Sequence, residues 1–154
     1  MTALKTVFFV LLVPGFLLGV VPVFVIPRIP GLVLPPGPWN WAAIPFWLAG
    51  VAVVIWCAAD FVRKGHGTPV PLDPPKELVV SGLYRFVRNP MYVGALLIQA
   101  GVGCLRSNPL YLVLLIPTWA VLHWGVVLRE ERYLLKKFGA PYQQFMDSTR
   151  RWFL

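Results

Sequence analysis

Apolar and polar positions separate into blocks along this chain. Four runs are nearly free of charge: Thr6–Ile26, Trp39–Ala59, Pro90–Leu105 and Ser107–Leu128. A helix crosses the ~30 Å hydrocarbon core of a bilayer with roughly 20 residues. The first, second and fourth runs have that length. The third has 16 residues and covers only about 24 Å, so it is expected to sit shallow or to thin the bilayer. Pro14 and Pro22 interrupt the first run, Asp60 ends the second, and Pro117 and His123 lie inside the fourth. The first run is longer than a signal-peptide core and lacks a small-residue cleavage site after it, which predicts a retained span. Within it, GFLLG at residues 15–19 has the small-xxx-small spacing of helix packing.

The polar blocks predict the connections. Arg106-Ser107-Asn108-Pro109 makes a tight turn, so the third and fourth spans form a helical hairpin. Between the second and third spans, Pro69, Pro71, Pro74 and Pro75 forbid regular helix. That segment, Arg63–Arg88, is expected to lie as a stiff extended strap over one membrane face, and a loop so long is more often functional than not. After the fourth span, REERYLLKKFGAPYQQF continues the helix to about Phe138. Gly139 suits its C-terminal cap, and Pro141 suits the first turn of a new helix. Tyr133, Leu134, Leu135, Phe138, Tyr142 and Phe145 would rest at the interface. The predicted fold is all-α and integral to the membrane. It has four transmembrane helices, the third short and hairpinned with the fourth, plus a cytosolic amphipathic C-terminal helix, in a single domain spanning 1–154.

Composition sharpens this picture. The chain is 58% hydrophobic and 13% charged, with a mean hydropathy of +0.70; a soluble domain of this size needs more polar surface. Seven Trp and five Tyr fit interfacial anchoring. The net charge of +8 raises nucleic acid as a partner. Its basic residues flank apolar runs, however, and no soluble basic module exists to carry such binding. Arg63, Lys64, Lys76, Arg85 and Arg88 lie on one side, with Arg129, Arg132, Lys136, Lys137, Arg150 and Arg151 of the tail; Arg28 and Arg106 lie opposite. Positive-inside then places the long loop and both termini in the cytosol. Cys57 and Cys104 sit inside apolar runs and make no disulfide framework. No His/Cys cluster points to a metal.

Ionisable residues near a membrane core are functional candidates because they cost energy unless paired. On a wheel of about 100° per residue, His123 and Glu130 fall on one side of the fourth helix, with Glu131 about 80° round. The carboxylates can equally be a solvated cluster paired with Arg129 and Arg132, and His123 a core histidine bonded to a carbonyl. Across the loop, SGLYRFVRNPMYVGALL runs polar groups straight into the third span. Arg85 and Arg88 offer forked donors for carboxylates. Asn89 suits the N-cap and Pro90 the first turn, and a helix N-terminus favours anions. Tyr84 and Tyr92 add aromatic faces for a cation. Donors for a carboxylate, acceptors for an ammonium and rings for a cation match the charge layout of S-adenosylmethionine. Equally, both arginines can fix topology and bind membrane lipid headgroups.

The stretch Gly82-Leu83-Tyr84-Arg85-Phe86-Val87-Arg88-Asn89-Pro90-Met91-Tyr92-Val93-Gly94 resembles the GxYxxxRHPxYxG signature of the isoprenylcysteine carboxyl methyltransferase and phospholipid methyltransferase superfamily. Glu130-Glu131, Phe138-Gly139, Tyr142 and Arg151-Trp152 continue the likeness, so that residues 62–154 carry the cofactor-site motifs. The resemblance implies a helical membrane enzyme without a Rossmann domain. It implies S-adenosylmethionine held by Tyr84, Arg88, Asn89, Pro90, Tyr92, Gly94, His123, Glu130 and Glu131, with Arg88 and Glu130 central to catalysis. It also implies methyl transfer to a lipophilic substrate entering from the bilayer, either an isoprenylcysteine-type carboxylate or a phosphatidylethanolamine-type amine. One position departs: the signature histidine is Asn89 here, which cannot take up a proton near neutral pH and is expected to bind or cap. An NADPH-dependent sterol-reductase-like enzyme and a non-catalytic membrane protein are the rival classes.

Overall fold

The computed structural model describes residues 34–67 and 75–153. The first apolar run with its GFLLG motif, Arg28, and Pro69, Pro71 and Pro74 of the predicted strap lie outside them. The described chain is helical, and its one ladder contact is an isolated parallel bridge between Val87 and Arg150.

Helix α1, Ala43–Arg63, follows a 3₁₀ turn at Pro38–Ala42. It runs past the predicted end at Ala59. Asp60 does not stop it because Lys64 Nζ lies 2.6 Å from Asp60 Oδ1 and offsets the charge. Helix α2 spans Pro90–Leu105, the predicted 16 residues, with Pro90 in its first turn. The two helices approach so closely that a Cβ on Gly94 would lie 2.9 Å from the Gly50 carbonyl oxygen. At its far end, α2 leaves carbonyls without intrahelical partners. Asn40 Nδ2 donates to two of them, on Cys104 and Leu105, each at 3.0 Å. Ser107 Oγ lies 2.8 Å from the same amide nitrogen and shares its two hydrogens with those carbonyls.

The predicted hairpin turn is present. Ser107 adopts φ 51°, and Asn108 Oδ1 accepts the Leu110 N–H at 3.0 Å. A long rod then runs from Leu110 to Phe138 in pieces: α3 Leu110–Val113, α4 Leu115–Ala120, a π-helical segment Val121–Val127, and α5 Leu128–Phe138. The α3–α4 break sits one turn before Pro117, which lacks the N–H to continue the ladder. Gln99 of α2, fully buried, donates to Thr118 Oγ1 at 3.2 Å and ties the hairpin together. Gly139, at φ 61°, ends α5 as predicted, and α6, Ala140–Ser148, begins with Pro141 in its first turn.

Among the described residues two helical stretches, Pro38–Arg63 and Leu110–Phe138, are long and apolar enough to cross a membrane. Leu48, Ile55, Ile116, Val121 and Trp124 face outward from them, as lipid-facing side chains do. Where α1 ends and α2 begins, Cys57, Val79, Tyr84, Tyr142 and Phe145 form a buried cluster. Phe61, Leu83, Met91, Leu134 and Phe138 pack around it, so α6 is docked onto the same end of the bundle as α1 and the loop.

Candidate functional site

Beside that cluster, four separate pieces of chain converge. The loop reaches α2 through a 3₁₀ turn at Gly82–Arg85. Gly82 has φ 64°, and a Cβ there would collide with the Asp60 carboxylate, so the turn requires glycine twice over. The turn buries Tyr84 edge-on against Phe61, with ring centroids 5.5 Å apart. Arg88 and Asn89 follow, then Pro90. From α5 come Glu130 and Glu131, from the π-helical segment His123, and from beyond α6 the segment Thr149–Trp152.

Glu131 is the hub. It is 6% exposed. Arg151 grips it with a fork, Nε to Oε1 at 2.9 Å and Nη2 to Oε2 at 2.7 Å. Arg88 Nη1 lies 3.1 Å from the same Oε1, but without hydrogen-bond alignment. Arg88 Nε and Nη1 are therefore buried donors with no hydrogen-bond partner among the described residues. Glu130 Oε1 accepts the Tyr92 hydroxyl at 2.8 Å. Trp152 Nε1 donates to His123 Nδ1 at 2.9 Å, which leaves the hydrogen of the neutral imidazole on Nε2. The imidazole stacks on Trp119 at 5.2 Å. A cleft of about 410 Å³ opens alongside, lined by Leu128, Glu131, Arg132, Leu135 and Met146.

Electrostatics follow the contacts. The hydrogen bonds to Glu131 hold the Arg151 guanidinium above its ordinary range. Burial, with Glu131 next, pushes the Tyr142 phenol up. Burial, with Cys57 next, pushes Tyr84 well above a free tyrosine. Both phenols are neutral donors at any ordinary pH.

The structure brings Arg88, Asn89, Pro90, Tyr92, Glu130 and Glu131 together, with His123 joined through Trp152. It corrects five expectations. Asn89 makes no capping hydrogen bond to α2; its Nδ2 donates to the Arg151 carbonyl at 3.2 Å. Gly94, expected to let a cofactor approach, instead faces Gly50, Val53 and Val54 of α1, where a Cβ would be crowded. Tyr84 lies in the packed cluster instead of presenting a face. Arg85 is exposed, 5.6 Å above the Phe86 ring, and stands apart from Arg88. Finally, wide π turns advance roughly 80° per residue rather than 100°. That rotates His123 roughly a quarter turn from Glu130 and toward the side of Glu131. The carboxylates also decline their helix neighbours: Arg132 Nε donates to the Leu128 carbonyl at 3.1 Å. In the sequence Arg151 counts among the basic charges of the tail, and Arg151-Trp152 carries part of the resemblance, but neither is marked there as part of the site. Their adjacency to each other in the tail was the available signal.

Fold and site thus define a helical protein with two apolar helices long enough to cross a membrane and a charged cluster buried at one end of its bundle. A family model described as phospholipid methyltransferase matches residues 39–141, and the chain belongs to that family, within the superfamily whose signature it resembles. Among curated relatives, protein-S-isoprenylcysteine O-methyltransferase A of Arabidopsis thaliana is 24% identical over 118 residues, covering 68% of this chain and 58% of that one. Its B form is 22% identical over the same spans. The cobalt-zinc-cadmium resistance protein CzcN of Cupriavidus metallidurans is 27% identical over 97 residues, 63% of this chain and 39% of that one. The chain therefore spans less than two thirds of the length of these relatives. No solved structure matches.

Proposed function

We propose that this protein transfers a methyl group from S-adenosylmethionine to a lipophilic acceptor that reaches the site from the bilayer. In this reading it crosses the membrane four times, with both termini cytosolic, α6 as an interfacial helix, and the cofactor machinery within residues 62–154 of a single domain. One observation carries the proposal: among the described residues Arg88 Nε and Nη1 are buried and make no hydrogen bond, although Nη1 is ion-paired with a carboxylate that another arginine already grips. An unsatisfied buried donor costs about 1–3 kcal/mol, and an anionic ligand group removes that cost. Glu130 supplies the opposite charge within the same cluster. That donor and acceptor set fits the carboxylate and ammonium of a methionine moiety.

When bound, the cofactor supplies a sulfonium methyl carbon open to in-line attack. The residues bind and orient. Arg88 takes the carboxylate. Tyr92 fixes Glu130 through Oε1, leaving Oε2 to accept from the ammonium or a ribose hydroxyl. Catalysis then rests on alignment and exclusion of water. A carboxylate acceptor needs no base, whereas an amine must arrive neutral. The relatives' names make an isoprenylated cysteine the first acceptor to try; the family description makes a phospholipid amine the second.

Two measurements test this. Calorimetry in detergent should show binding of S-adenosylmethionine and of its demethylated product, and none of NADPH. Radiolabelled cofactor should then pass its label to a lipid extract. Tight NADPH binding without adenosylmethionine binding would overturn the reading.

A further inference from the structure

Glu131 has one carboxylate and two arginines within reach, and they are not equivalent. Arg151 takes both oxygens in a fork at 2.9 and 2.7 Å. Arg88 reaches only Oε1, at 3.1 Å and out of line. A carboxylate accommodates one bidentate guanidinium well, and the forked pair is the stronger arrangement. Arg151 therefore holds the aligned fork on Glu131, and Arg88 keeps an ion pair with the same carboxylate without a hydrogen bond to it.

The backbone around Arg151 holds this arrangement from the other side. The Arg150 carbonyl accepts the Arg88 N–H at 2.8 Å, and the Arg151 carbonyl accepts Asn89 Nδ2. Trp152 anchors the segment to His123. Arg88 is thus pinned at its main chain and keeps only an unaligned ion pair with Glu131.

We propose that Arg151 is a positioning residue whose work is to keep Arg88 available: by occupying Glu131 it leaves Arg88 Nε and Nη1 free for the carboxylate of the bound methionine moiety. This rests on the function proposed above, yet it makes a claim about the two arginines that can be measured without any ligand. Without Arg151, Arg88 swings into line with Glu131, its donors are consumed internally, and selectivity for a carboxylate-bearing ligand disappears.

The experiment compares S-adenosylmethionine with its decarboxylated analogue by calorimetry in detergent. Wild type should prefer the carboxylate form by roughly ten- to a hundredfold, the range of a charge-assisted hydrogen bond. Arg88→Ala should abolish the preference. Arg151→Ala should abolish it too, although Arg88 is intact. Arg151→Ala combined with Glu131→Gln should restore part of it, because a neutral amide no longer captures Arg88. Arg151→Lys, which keeps the charge but loses the fork, should fall between wild type and Arg151→Ala. A full preference in folded Arg151→Ala overturns the proposal, as does the absence of recovery in the double variant.

A second measurement uses no ligand. In a double-mutant cycle on Tm, the coupling between Arg88 and Glu131 should be small in wild type and grow several-fold in the Arg151→Ala background. Unchanged coupling overturns the proposal even if the cofactor binds. Should neither adenosyl compound bind while the coupling grows, the competition between arginines stands and the cofactor assignment falls.

Discussion

Asn89 sits where the family signature has histidine, and its amide reaches the Arg151 carbonyl. An imidazole N–H can make the same donation, so Asn89→His should keep most methyl transfer. Asn89→Ala removes the donor and should lower the rate severalfold, about the 0.5–1.5 kcal/mol of one hydrogen bond. The pH–rate profiles of all three forms check this: a large gain and a new ionisation near the histidine range in Asn89→His would mean that a missing base had been restored. Its neighbours carry charge and should matter more. Arg88→Ala and Glu130→Gln are each expected to lose roughly tenfold to a few hundredfold in cofactor affinity or turnover, with Tm little changed. Wild-type turnover by either one would reduce that charge to a topological role. Arg88 stands in the signature and Glu130 in the likeness that continues it. The function of Arg151 was not legible, because nothing in the chain says which arginine wins a shared carboxylate; only the fork's geometry does.

Helices were legible wherever a residue dictates backbone. Pro90 opens α2, Gly139 closes α5, and Pro141 starts α6, as their missing donor or left-handed φ requires. What pattern alone could not supply was the partner across a helix pair. Gly94 lies in the signature, and its role emerged only with Gly50 opposite. A methyl added to Gly94 would also meet Val53 and Val54 side chains at 3.0 Å, and such overpacking costs about 1–3 kcal/mol. Gly94→Ala should therefore lower Tm, while cofactor affinity measured below that Tm stays near wild type. Lost affinity at full stability would return Gly94 to the binding site.

At the scale of the molecule, the buried cluster of α1, the loop and α6 underlies the charged site, so the two should fail together. Tyr84 and Tyr142 belong to it, and burial raises both phenols above the ~10 of an unfolded chain. A folded pKa above the unfolded one stabilises the fold fully below about pH 10 and loses that contribution as pH climbs toward the folded values. Tm in detergent should fall in the alkaline range, most steeply above about pH 9.5, with tyrosinate absorbance rising in step. Tyr84→Phe should soften the fall. A decline steepest near pH 8 would implicate other groups. Hydropathy blocks sufficed to foresee the second, third and fourth helices and the hairpin; the convergence of loop, π segment, α5 and tail depends on contacts from 20 residues apart, Glu131 to Arg151, to 62, Asn89 to Arg151, which no local pattern records.

The π-helical segment also makes the rod's length adjustable at one place. Seven residues wound at roughly 80° each turn about as far as six in an α-helix. The segment therefore behaves like an insertion already absorbed. Deleting Val126 should let it relax to ordinary helix with α5 still facing Arg88 and Tyr92, at the cost of shifting His123. Deleting one residue inside α4, with 121–127 still wound as a π-helix, would instead swing both carboxylates by about 100°. Labelled methyl transfer should survive the first deletion in large part and vanish with the second, marking 121–127 as the stretch where related chains can differ by a residue and keep the same site.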